Sequence, residues 1–331
     1  MAFINDDREI PRFGAPAPVV RIFGWSVLFC ALAFIADNYL QVGLDMPGAW
    51  ALVADGNSGA ILQALFYVAA IAVAVLLVMR TPDRALRYDA HTIHSFNLYL
   101  IRGLFWAVTL VGVVDASIAF MRVESLLEIF FAEDTVRALG RARFVGPWIH
   151  LPLIAAGFVL ALFTRTLGFS WLALMIVAAE LLIVISRFVF SYEQALMGDL
   201  VRYWYASLFL MASAYTLFDE GHVRVDVLYA GFKGRTRGFV NAIGSIMLGV
   251  TTCWVIVAIG LDGKQAIINS PVATFEISQT GNVGMFIKYQ MAAFLGMFAI
   301  TMMIQFISYF FEAVADLRDE PGHREPASPA P

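Results

Sequence analysis

A chain of 331 residues that is 60% hydrophobic and only 15% charged, with a mean hydropathy of +0.75, carries more apolar surface than a water-soluble fold can bury, so its solvent is lipid. The net charge of −4 is small, and no stretch is basic and aromatic enough to hold nucleic acid. A phosphate-binding glycine loop, a nucleophile elbow and a soluble acid pair are all missing, which leaves a catalytic reading without residues.

The first twenty residues are too polar and proline-interrupted for a signal peptide. The apolar run after them lacks a cleavage site of small residues, so it is expected to stay as a membrane helix. A bilayer core of about 30 Å needs roughly 20 apolar residues per helix. Eight such stretches follow in order, at 20–40, 59–79, 103–121, 146–163, 169–190, 200–218, 238–260 and 285–311. Each is continuously apolar, whereas the strands of a barrel alternate at every second residue. The predicted fold is therefore all-α, a polytopic transmembrane helical bundle of about eight spans. Residues 1–167 form an N-terminal four-helix extension, 168–313 a second four-helix domain, and 314–331 a proline-rich disordered tail. With the N-terminus in the cytoplasm, fourteen Lys and Arg residues fall inside and five outside, namely Arg122, Arg137, Arg141, Arg143 and Lys264. That bias predicts both termini cytoplasmic.

Ionisable groups within apolar helices are costly, so Asp115, Glu180 and, less so, Asp37 are functional candidates by default. Their plainer role is an interhelical hydrogen bond within the bundle or to a partner subunit; the other is an ion or proton path. Glu180 and Arg187 are seven apart and share a helix face. His91 and His94 have a metal-compatible spacing, but no third ligand is near and they read as solvated loop histidines. His150, beside Pro147 and Trp148, reads as an interface residue. With no His in the middle of a span, haem ligation is not expected. Cys30 and Cys253 lie on separate apolar runs and read as small buried hydrophobes. No cofactor or metal is expected. Two stretches, 122–139 and 191–202, look amphipathic and are expected at the membrane interface or as short helices packed on loops. In the seventh run Gly238, Gly244 and Gly249 offer a close-packing face.

The most distinctive polar stretch runs from Arg187 to Leu228. It combines Arg187, Phe188 and Phe190 at a helix end, then Asp199, Arg202 and Tyr203, then the run Gly221, His222, Val223, Arg224, Val225 and Asp226. This pattern resembles the small membrane subunit, DctQ-like, of tripartite ATP-independent periplasmic (TRAP) transporters. The resemblance covers roughly 168–313, and Ser270, Glu276 and Ser278 before the last helix match it more weakly. Asp199 stands where the family commonly has a pair of Glu, and the first 167 residues lie outside the pattern.

The resemblance implies a supporting subunit. A separate large permease subunit would carry the substrate in a sodium-coupled motion, and a periplasmic solute-binding protein would deliver it, most often an organic carboxylate. The His222, Arg224 and Asp226 loop is then expected either to fix a turn or to grip a neighbouring subunit, and Arg187 to brace against Asp199 or Glu193. The alternatives are a self-sufficient secondary carrier or channel working through Asp115 and Glu180, and an anchor subunit of a membrane redox enzyme.

Overall fold

The computed structural model describes residues 10–165, 168–218, 229–278 and 280–323. Helices in chain order are α1 (Pro18–Leu44), α2 (Trp50–Ala54), α3 (Ile61–Arg80), α4 (Leu86–Val123), α5 (Leu127–Phe130), α6 (Glu133–Leu139) and α7 (Ala142–Val145). They continue with α8 (Leu151–Phe163), α9 (Phe169–Phe190), α10 (Ala195–Phe218), α11 (Gly234–Gly244), α12 (Thr251–Gly260), α13 (Asn269–Thr274) and α14 (Lys288–Leu317). Wide π turns, Gly146–His150 and Ser245–Val250, join α7 to α8 and α11 to α12 without breaking the helical path. Among the described residues seven helical stretches are long and apolar enough to cross a membrane. The predicted stretch at 200–218 corresponds to α10, a 24-residue helix that carries Asp199, Arg202, three tyrosines and a tryptophan among its apolar residues.

Four boundaries differ from the reading of the sequence. α4 has 38 residues, about 57 Å at 1.5 Å per residue, and begins well before 103. Its early turns bury Leu86, Ala90, Ile93, Asn97 and Ile101, a helical period that a count of consecutive apolar residues does not register. His91 and His94 are therefore helical and not in a loop. The stretch 195–202 forms the first turns of α10 instead of a separate interfacial helix, and 122–139 breaks into α5 and α6. α14 runs on to Leu317, beyond the expected start of the tail.

The chain forms two compact units, each drawing on both sides of residue 168. The first takes residues up to Asn97, Thr216–Lys264 and Ala299 onward. Within it α1 and α3 run antiparallel: Arg21 reaches Thr81 Oγ1 (2.8 Å) at the end of α3, while Asp37 meets Gln63 (2.6 Å) and Tyr67 (3.3 Å) nearer its start. Two buried arginines here are ion-paired. Arg21 contacts Asp89 at 2.7 Å with both side chains fully enclosed, and Trp25 Nε1 donates to the same carboxylate oxygen at 3.1 Å. Arg87 reaches Glu312 (2.5 Å) and Asp316 (2.7 Å), and it donates to the carbonyls of Glu320 and Pro321. The segment after α14 is thereby tied to α4. His94 is buried, 2.9 Å from Gln305 Oε1 and stacked on Phe218. Of the three glycines picked out on the seventh run, a Cβ at Gly238 would lie 2.6 Å from Leu317 N and one at Gly249 would meet the Phe306 ring, while Gly244 faces open space.

The second unit takes Leu98–Tyr215 and Gln265–Phe298. Here α4 and α8 are antiparallel and in close contact, with Arg102 donating to the carbonyls of Ala161 and Thr164. A Cβ at Gly157 would sit 2.5 Å from Ala107 N, so only glycine allows this approach. Trp204 of α10 donates to the Val108 carbonyl (3.2 Å), placing α10 beside α4 as well. Cys30 and Cys253 are free thiols.

Candidate functional site

The densest polar constellation in the second unit surrounds residues 280–290, the irregular approach to α14 and its first turn. Backbone outside a regular helix cannot be left unpaired in a membrane, so side chains must satisfy it. Asp115 of α4, fully buried, accepts the Phe286 amide at 2.7 Å. Asp199 of α10 accepts the neighbouring amide, that of Met285, at 3.1 Å, and the Thr280 hydroxyl at 3.4 Å. Two carboxylates from two helices thus hold consecutive N–H groups.

Arg122, at the end of α4, completes the clamp from the other polarity. Its guanidinium donates to the carbonyls of Asn282 and Gly284, each at 2.6 Å, and to that of Leu139 at 3.3 Å. It also lies 4.1 Å from the centroid of the Phe286 ring, a cation–π contact. Gly284 has no room for a side chain, because a Cβ there would sit 2.5 Å from Asp199 Oδ2.

The second oxygen of Asp115 faces His150 Nε2 at 3.2 Å, without the alignment of a hydrogen bond. The π turn at Gly146–His150 includes Pro147, which has no amide to donate, and it carries the imidazole into a fully buried position. His150 Nδ1 is 2.9 Å from the Tyr289 hydroxyl, which also accepts from Gln290 Nε2 at 3.0 Å. Gln290 Oε1 in turn accepts the hydroxyl of Tyr203, which is fully buried on α10. A Tyr289 hydroxyl donating to Nδ1 leaves the ring proton on Nε2, facing Asp115. The network runs from Asp115 through His150, Tyr289 and Gln290 to Tyr203. Around it Ile118, Leu127, Leu139, Val145 and Phe286 form an apolar cluster.

The sequence-predicted residues divide into three groups. Asp115, Asp199 and Tyr203 come together in this network, and Arg202 lies at its rim, 3.3 Å from Asp199 and exposed. Glu276 is ion-paired with Lys288, and its carbonyl accepts the Tyr289 amide, which closes the loop at the start of α14. Arg187 stands apart, bonded to Glu193 through two guanidinium nitrogens at 2.9 Å and not to Asp199. Next to it Tyr192 donates to Glu124 at 2.5 Å, and this bond to a carboxylate raises the phenol above its ordinary pKa. Glu180 is exposed in the middle of α9. His222, Arg224 and Asp226 lie outside the described residues.

Sequence reasoning missed Arg122, His150, Tyr289 and Gln290. His150 is enclosed rather than interfacial, although Trp148, two residues away, is 71% exposed. The available signal was the polar triplet Lys288, Tyr289 and Gln290 opening an apolar helix. Among the described residues no group of three or more His, Cys, Asp or Glu side chains is placed to hold a metal ion.

Residues 172–315 match the family model described as Tripartite ATP-independent periplasmic transporters, DctQ component. This part of the chain, less than half of its length, is similar to that family. No curated protein and no solved structure matches the chain. The DctQ segment supplies most of α9 and all of α10 to α13, together with α14 as far as Ala315. Asp199, Tyr203, Met285, Phe286, Tyr289 and Gln290 are thus DctQ residues, whereas Asp115, Arg122 and His150 come from the helices that precede the match. Asp115, for which the sequence suggested an interhelical hydrogen bond, accepts a backbone amide of the matched segment. The seven long apolar helices mark the chain as an integral membrane protein, and its later part is similar to a transporter component.

Proposed function

We propose that this chain is the small membrane subunit of a sodium-coupled TRAP transporter. In this reading it supports a separate large permease subunit in the uptake of an organic carboxylate delivered by a periplasmic binding protein. The family match over 172–315 is the observation that carries the reading. The geometry of the second unit is in keeping with it. Asp115 and Asp199 are occupied with backbone amides, which suits a rigid support better than a carboxylate that must bind and release a coupling ion. The N-terminal helices contribute Asp115, Arg122 and His150 to the clamp, so they serve as reinforcement of the DctQ segment. Arg187, Asp199, Arg202, Tyr203 and Glu276, with His222, Arg224 and Asp226, are assigned to shaping the subunit and its contacts. The bias of fourteen basic residues to five supports an orientation with both termini cytoplasmic, and the family match supports a bacterial inner membrane as the location.

Reconstitution into liposomes tests this. Uptake of a labelled carboxylate is expected only when this chain, the large permease subunit and the binding protein are all present with an inward sodium gradient. Uptake by this chain alone would overturn the reading in favour of a self-sufficient carrier.

A further inference from the structure

α9 has 22 residues, and Glu180 is the twelfth, so the carboxylate sits about 16 Å along a helix about 33 Å long. That is the depth of the bilayer centre, where an ionisable group is most costly. Only 17% of the apolar stretch of α9 is buried. Val177, Leu181, Val184 and Phe188 form an exposed stripe along the helix, and Glu180 lies beside it. The intrachain cation on the same face, Arg187, is already held by Glu193. Glu180 has no polar partner among the described residues. Exposed Ala178 sits two positions away, where a small side chain lets a neighbouring backbone come close.

Lipid chains offer no hydrogen-bond donor, and in a symmetric pairing through this face the exposed neighbours at the depth of Glu180 are Val177, Ala178, Leu181 and Val184, whose side chains carry no donor. A helix bearing a donor meets the requirement that neither of these does. We propose that the Glu180 face of α9 is a docking surface for a transmembrane helix of the large permease subunit. That helix presents a basic, amide or hydroxyl donor to Glu180 at mid-membrane depth. The inference rests on the function proposed above and adds the place and chemistry of the contact.

The test uses the full chain, tagged and co-expressed with the large permease subunit. Photo-crosslinking residues at Val177 and Val184 are expected to capture the permease, through one helix that carries a polar side chain at matching depth. Glu180→Leu is expected to lower recovery of the permease about 3- to 30-fold, the range for one interhelical hydrogen bond in a membrane, while Glu180→Gln keeps most of it. The thermal stability of the isolated Glu180→Leu chain is expected to be unchanged or raised, because a bare carboxylate is removed from lipid; a purely structural role would lower it. Crosslinks only to lipid or to a second copy would overturn the inference, as would full recovery of the permease by Glu180→Leu. Failure of the wild-type chain to recover any permease is a separate result, and it would overturn the proposed function itself.

Discussion

α4 and α9 are both long, largely apolar helices that carry acidic residues, Asp89 and Asp115 on the first and Glu180 on the second, and they satisfy them in opposite ways. Half of the most apolar stretch of α4 is buried, against 17% for α9. On α4, Asp89 meets Arg21 and Asp115 meets the Phe286 amide, each with its side chain fully enclosed. On α9, Glu180 is exposed, and Arg187 near the helix end is paired locally with Glu193. The residue type and the apolar setting are alike. The difference lies in what surrounds the helix: α4 is enclosed by protein that supplies donors, while α9 has protein on one side and an open face on the other. An intramembrane carboxylate therefore marks a need for a donor, and exposure tells whether the donor lies within the chain.

The largest effect should come from the buried ion pair on α4. Asp89→Leu leaves Arg21 charged and enclosed, and it is expected to cost about 3–5 kcal/mol of stability in a detergent unfolding titration. The double variant Arg21→Met with Asp89→Leu should regain most of that loss, since two matched apolar side chains leave no bare charge. A double variant as unstable as the single one would break the claim that α4 charges are satisfied inside the chain. Next in size is Asp115→Leu, which strands the Phe286 amide and is expected to cost about 2–4 kcal/mol. Hydrogen exchange at Phe286 should quicken, and Asp115→Asn, which keeps an acceptor, should quicken it less. An unchanged exchange rate in Asp115→Leu would show that the clamp does not hold this segment. The smallest effect belongs to α9: Glu193→Gln removes an exposed pair and should cost about 0–1 kcal/mol, less in high salt. A loss as large as that of Asp89→Leu would erase the contrast between the two helices.

Much of this architecture was legible in the sequence, because crossing a bilayer depends on hydropathy summed over about twenty consecutive residues. The apolar runs at 59–79 and 169–190 correspond closely to α3 and α9. The motif from Arg187 through Asp226 also led to the family whose model matches residues 172–315. Less was legible where polar residues continue a helix. His94 read as a solvated loop histidine, and Arg87 and Asn97 fall before the apolar run at 103–121, yet each is buried on one face of α4 by partners far along the chain.

By itself the sequence determined a helical membrane protein, the approximate positions of its spans, the kinship of its later helices and the short list of intramembrane carboxylates. Only the tertiary structure decided how those carboxylates are used. Asp115 is paired with an amide 171 residues away, His150 is enclosed beside it, and Glu180 is left exposed. The physical reason is that hydropathy is a local sum along the chain, whereas a buried charge is satisfied by whichever donor the fold brings within about 3 Å, and that proximity is a property of packing in three dimensions.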